Sequence, residues 1–422
     1  MGLGTLLLKL PVATKSGISW VDAFFVSVSC GSVTGLSTVD VPATFTRFGE
    51  AVMMGLIQLG GLGIMTVATL AALLVGQRVG FRDILAVREE MENVDSPRNT
   101  LRLLGQIATI TFAVELVGAA LLSVGFIRHG LGLGDGIFQG VFHAVMAFCN
   151  AGFATLPNGD LAPYAGDWLV VGTLGGVIIL GGLGFPVLVD LYRFPGDRRL
   201  SVHTRLVLIA TGALLVVGIG SVALMEWTNP ATLGGESVNT RTAMSVFQGI
   251  TPRTAGFSTI TYSEMRDPTL VVQTALMFAG TAPTSTGGGV KVTTVALVFL
   301  IVASQVRGQD RLTLFWRELP RQLVSKALAV LALATLLVFA GTLALMVSDD
   351  LPLLPALFEV TSAFATAGLS LDLTPELSTF GKLLVAAMMF IGRVGPITFV
   401  IAMTARQRPA RYRYPREDIA IG

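Results

Sequence analysis

Four short stretches of this chain set a glycine among small or polar residues inside otherwise apolar sequence: SVTGLS at Ser32–Ser37, CNAGF at Cys149–Phe153, RTAGF at Arg253–Phe257 and ATAGLS at Ala365–Ser370. None pairs a nucleophile with a base. What they offer is backbone. A glycine reaches conformations denied to other residues, and the carbonyls before it can turn toward one point and replace the water shell of a cation. The candidate ion-binding residues are therefore Val33, Thr34 and Gly35, then Asn150, Ala151 and Gly152, then Thr254, Ala255 and Gly256, and last Thr366, Ala367 and Gly368. Their glycines recur at intervals of roughly 100 to 120 residues, an internal repeat that any fold must accommodate.

The elements that would carry these stretches are hydrophobic. The 422 residues are 52% hydrophobic and 13% charged, where a soluble domain carries about 25% charged residues. The composition predicts an all-α integral membrane protein, and a net charge of +2 is too small to point to nucleic acid. Segments near the length needed to cross a bilayer read as helices at Val52–Val75, Leu103–Ile127, Trp168–Leu191, Leu206–Glu226, Ser325–Val347 and Leu383–Ala405. Shorter runs, Trp20–Cys30, Gly136–Phe148, Thr240–Ile250 and Leu351–Phe364, each lead into one glycine stretch and suit re-entrant helices.

The chain thus reads as four tandem units of long helix, short helix, glycine stretch and long helix: residues 1–76, 77–193, 194–305 and 306–405, followed by a tail at 406–422. The first unit opens with only MGLGTLLLKLP, so its first helix reads as truncated or its start as assigned too late. One further apolar run, Leu270–Ser304, is interrupted by GTAPTSTGGGVK, where Pro283 and the glycines Gly287, Gly288 and Gly289 cannot remain helical at low cost. Lys291 ends that interruption, and Arg393 lies in the corresponding helix of the fourth unit. Intramembrane charges of this kind are rare and usually functional.

Most of the 29 basic residues fall between units or in the tail, as at Arg78, Arg88, Arg193, Arg198, Arg311, Arg317, Arg406 and Arg413. The positive-inside rule makes that side cytoplasmic and brings the glycine stretches in from outside. Non-helical backbone at membrane depth must be buried in protein or line a wet cavity, so four such stretches are best placed around one axis. The negative C-terminal ends of the short helices then favour a cation there. The glycine clusters at Gly60–Gly63 and Gly181–Gly184 read as close helix packing, and GGGVK lacks the ending of a phosphate-binding loop. Glu115 and Glu359 read as structural hydrogen-bonding acids, and His143 and Cys149 as core residues.

The stretches VTGLS, NAGF, TAGF and TAGLS, in this order and spacing, resemble the filters of the Trk/Ktr/HKT superfamily of potassium transporters, and within it the chain is more similar to the Ktr membrane subunit. The resemblance covers nearly the whole chain. It implies a homodimer in the bacterial plasma membrane with one potassium (K+) pore per protomer, built of pseudo-fourfold helix–pore-loop–helix units, and a cytosolic nucleotide-binding ring, with any nucleotide on that ring alone. It also implies that the loop at Gly287–Lys291 blocks the pore below the filter and that Arg393 helps to close it. Sodium-permeable plant relatives carry serine at the first filter glycine; here all four positions are glycine, which implies potassium preference. The charged loop Gln77–Thr100 and the tail are the expected faces for the cytosolic partner.

Three other classes compete. A membrane-embedded enzyme would need a catalytic cluster that three scattered histidines and two cysteines do not supply. A secondary transporter of inverted repeats would alternate the orientation of its units, whereas the basic connections all fall on one side. A sodium-permeable channel would keep the architecture and change only selectivity.

Overall fold

Local capping chemistry starts many of the helices. In the computed structural model, which describes residues 1–63, 97–156, 161–308 and 313–395, the Ser19 side chain accepts from Asp22 N to open α2 (Trp20–Ser32). α1 (Gly2–Leu8) precedes it, and Thr46 caps α3 (Arg47–Leu62). α4 (Pro97–Arg128) and α5 (Leu133–Cys149) form the next hairpin. Asp167 caps α6 (Trp168–Gly182), which is followed by α7 (Phe185–Asp197). Ser201 and Ser237 cap α8 (Val202–Met225) and α9 (Val238–Ile250). The remaining main helices are α10 (Asp267–Phe278), α11 (Val292–Val306), α12 (Arg321–Asp349), α13 (Leu353–Ala365) and α14 (Thr379–Val394). Two two-residue strands, β1 (Thr313–Leu314) and β2 (Arg317–Glu318), pair antiparallel before α12.

Among the described residues, three helical stretches are long and apolar enough to cross a membrane: Gly105–Arg128, Val202–Met225 and Gln322–Asp349. At 1.5 Å per residue a 24-residue stretch is about 36 Å long, more than the hydrocarbon core requires. A fourth candidate is a bent pair, and here the structure corrects the expected span Trp168–Leu191: the chain turns by 104° between α6 and α7. Two features cause the bend. Gly184 has φ +86°, and a Cβ there would meet Pro283 O at 2.6 Å; Pro186 then sits in the first turn of α7, where its missing N–H costs nothing. The expected spans Val52–Val75 and Leu383–Ala405 are described only as far as Gly63 and Gly395. Most of the loop Gln77–Thr100, the whole tail and the boundary at 76 lie outside the described residues.

The packing order is cyclic. α1, α4, α8 and α12 each pack on the short helix that follows them, α2, α5, α9 and α13. In turn α3 packs on α5, α6 on α9, α10 on α13, and α14 returns to α2. Each short helix is thereby held between its own unit and the preceding one. The short helices are also the most deeply buried: Phe25, Phe142, Phe148, Phe247, Phe358 and Phe364 are almost wholly removed from solvent.

Candidate ion-binding site

All four glycine stretches leave the ends of short helices through a left-handed residue two positions before the glycine. These are Val33 (φ 59°), Asn150 (φ 58°), Thr254 (φ 64°) and Thr366 (φ 52°). Asparagine tolerates that conformation, but the β-branched Val33, Thr254 and Thr366 do so only when their surroundings impose it. Each such residue stores on the order of 1–3 kcal/mol, and strain of this kind concentrates at ligand clamps. Three exits share one hydrogen-bond pattern: Thr34 N, Ala151 N and Ala367 N each donate 2.8 Å back to the carbonyls of Ser29, Met146 and Ser362, the long bond of a Schellman cap. The third differs, with one more turn at Thr251–Arg253 and Ala255 N bonded to Thr251 O at 2.9 Å.

The glycines meet one another. A Cβ on Gly35 would stand 2.5 Å from Gly152 N, one on Gly152 would overlap the Gly256 backbone, one on Gly256 would stand 2.9 Å from Ala367 O, and one on Gly368 would overlap Thr34 O. The contacts run from each stretch to the next and return to the first. Within every triplet the first two residues are buried and only the glycine is partly open. The expectation that glycine serves here for its backbone freedom applies to Gly35, Gly256 and Gly368, whose φ values are +101°, +77° and +82°. Gly152 is not among the positive-φ glycines, so it is required there for space.

Side chains behind the stretches hold them in place. Gln139 on α5 donates to Thr155 O and accepts from Thr155 Oγ1, both at 2.8 Å. Gln248 on α9 donates to Ser258 Oγ at 2.8 Å. Glu359 on α13 accepts from Ser370 Oγ at 2.8 Å and from Thr374 Oγ1. Glu115 accepts from Gln58 Nε2 at 3.3 Å, and His143 Nδ1 bonds to Gln139 O at 2.9 Å in the buried core. Sequence reasoning did not find the glutamine braces. Their signal was a hydroxyl four or five residues after each left-handed position, too common a residue type to stand out.

The interruption of the third unit lies directly against these stretches. From Ala279 to Lys291 the chain is non-helical. Gly288 N donates to Thr366 Oγ1 at 2.9 Å, and a Cβ on Gly287 would overlap Thr254 Oγ1. Thr286 Oγ1 donates to Phe148 O and Gly181 O, Gly289 N to Gly392 O, and Phe185 N to Thr284 O. Lys291 Nζ folds back on Gly287 O at 2.7 Å. Arg393 donates to Thr286 O through one nitrogen and to Gly60 O through another, so it ties the loop to α3. The loop thus bonds to residues of the second and fourth units, and Arg393 links it in turn to the first.

The packing glycines that sequence reasoning grouped at Gly60–Gly63 and Gly181–Gly184 have a third counterpart at Gly392–Gly395. A Cβ on Gly60 would stand 2.6 Å from Gly31 O; one on Gly181 would overlap Phe148 O, and one on Gly392 would overlap Phe364 O. Gly31, Phe148 and Phe364 each lie two residues before the left-handed position. Three residues after each packing glycine comes one with positive φ: Gly63, Gly184 and Gly395.

This architecture has relatives. The family model described as cation transport protein TrkH matches residues 4–410. The chain belongs to that family. It is 38% identical over 420 residues to the Ktr system potassium uptake protein B of Bacillus subtilis (strain 168), covering all of this chain and 94% of the relative. It is 36% identical over 418 residues to the protein of the same description from Vibrio alginolyticus, covering 99% and 91%. The crystal structure of the potassium transporter TrkH from Vibrio parahaemolyticus superposes with a TM-score of 0.70 at 19% identity, over 92% of this chain and 79% of that one. Family and apolar helices together make this a membrane protein of the cation transport class.

Proposed function

We propose that the chain is the potassium-translocating subunit of a Ktr-type uptake system, with four helix–pore-loop–helix units around one pore. The observation that carries the reading is the closed ring of Gly35, Gly152, Gly256 and Gly368, each two residues beyond a left-handed residue. Backbone carbonyls of Val33–Gly35, Asn150–Gly152, Thr254–Gly256 and Thr366–Gly368 replace the hydration shell of K+, and the C-terminal ends of the four short helices supply partial negative charge. The loop Gly287–Lys291, held by Arg393, is the gate beneath them. Its segment closes the path until a partner displaces it. The subunit works as a homodimer in the bacterial plasma membrane, with inter-unit loops and tail in the cytoplasm against a nucleotide-binding ring; no enzymatic step is involved.

Potassium uptake by a transport-deficient bacterium expressing the chain tests the reading, with rubidium and sodium as parallel tracers. Growth on limiting potassium with rubidium uptake in excess of sodium is the expected result. Gly35→Ser should then lower that discrimination, because the new side chain meets Gly152 N. Equal selectivity in parent and variant, or no uptake by either, would remove the assignment.

A further inference from the structure

We propose a binding site for a single anionic phospholipid on the outer surface of the second unit, between α4, α6 and α7. The apolar part is a groove of about 420 Å³ between α4 and α6, lined by Val114, Val117, Gly118, Gly172, Gly176 and Leu180. Val117 is 60% exposed, and neither Gly172 nor Gly176 has an atom within 4 Å of where its Cβ would stand. In a bilayer such a surface is covered by hydrocarbon.

What selects the occupant lies beyond the end of the groove. Eight residues before Val114, or about 12 Å along the axis of α4 at 1.5 Å per residue, Gln106 accepts a 3.0 Å hydrogen bond from Arg193 of α7. The 104° bend after Gly182 carries α7 away from α6 and brings Arg193 to this point. A guanidinium has five N–H donors, and the bond to Gln106 uses one of them. Arg198 and Arg199 are exposed just beyond the helix, as are Tyr192 and Phe194 within it. The nearby carboxylate of Asp190 accepts from Thr204 Oγ1 and Ser201 N and offsets part of the Arg193 charge, leaving the excess of positive charge to Arg193, Arg198 and Arg199 together. An apolar trough that leads to a fixed guanidinium matches an acyl chain joined to a phosphate, and basic pockets between membrane helices recognise such headgroups. A helix from a second copy would fill the groove but would bring no phosphate to the guanidinium donors beyond the one that Gln106 takes.

Native mass spectrometry of the purified chain, with phosphatidylglycerol or phosphatidylcholine of identical acyl chains added, tests the site. The parent should retain one phosphatidylglycerol in preference. Arg193→Gln should weaken that retention about tenfold, the loss of one charge-assisted contact, and abolish the headgroup preference. Gly176→Leu, whose Cβ would have no atom within 4 Å, extends its side chain into the trough and should reduce retention of both lipids. Equal retention of the two lipids by parent and Arg193→Gln would overturn the proposal. So would a Gly176→Leu variant that keeps its lipid but changes from dimer to monomer, which would give the groove to a second copy. Both variants lie on exposed surface, and melting curves like that of the parent are expected for each.

Discussion

The third unit differs from the other three at two corresponding places. In the first, second and fourth, the short helix ends in a Schellman cap, and a glycine of the next helix, Gly60, Gly181 or Gly392, lies against a carbonyl two residues before the left-handed position. In the third, the cap is replaced by an extra turn, and Arg253 Nη1 donates to Ala279 O at 3.1 Å where the helix-to-carbonyl contact would otherwise be. The chain then leaves α10 as the irregular loop that reaches the ring. The first, second and fourth units repeat a junction in which two backbones touch, and the third lacks it and continues into the loop. All four glycine stretches keep the left-handed exit, and the departure from the repeated cap falls at the third.

Several substitutions would break or sharpen this contrast. The largest effect belongs to the backbone junctions. Gly392→Ala and Gly181→Ala each force a methyl into a carbonyl oxygen, which costs at least the roughly 1–3 kcal/mol of ordinary overpacking and should prevent recovery of folded protein. Gly220→Ala on α8, where the added methyl meets no atom within 4 Å, should be recovered normally. Equal yields and melting temperatures for all three would show that the junctions are not distinct.

Next comes the loop. Arg393→Ala removes the two tethers to Thr286 O and Gly60 O, each charge-assisted bond worth about 1.5–3 kcal/mol, and shortening Ala282–Gly288 removes the segment itself. Both should raise rubidium flux, by about tenfold for each 1.4 kcal/mol of lost closure. Flux like that of the parent in both variants would place the gate elsewhere. A smaller effect is expected behind the ring. Gln139→Leu leaves Thr155 without its partner at a cost of about 1–3 kcal/mol, and should loosen the second stretch enough to lower rubidium-over-sodium discrimination while uptake persists.

The smallest effect is at the periphery of the second unit. Burial opposes ionisation of Asp167, but the His129 side chain and the amides of Leu169 and Val170 outweigh it and hold the carboxyl below its ordinary value. A depressed carboxylate contributes stability above its unfolded value, near pH 4, and loses that contribution as pH falls through the folded value. Asp167→Ala should cost about 1 kcal/mol as a lost helix cap. Asp167→Asn should keep most of the cap and flatten the acid limb of the melting-temperature profile below pH 4.

Much of this molecule is determined one residue at a time. Helix lengths follow from apolar runs, their starts from Ser19, Ser201 and Ser237, and the interruption of the third unit from Pro283 and three adjacent glycines, because capping and helix propensity are local. The recurrence of a glycine every hundred or so residues likewise needs no coordinates to be seen. What each glycine is for was decided only by assembly. Gly152 and Gly35 stand in similar sequence, yet one is held for space and the other also for a φ of +101°, because a missing Cβ permits both and only the neighbouring chain selects between them. The bend at Gly184 was only half legible: Gly184 and Pro186 permit a break in the run Trp168–Leu191, but the close approach of Pro283 O to Gly184, from nearly a hundred residues away, is seen only in the assembled chain.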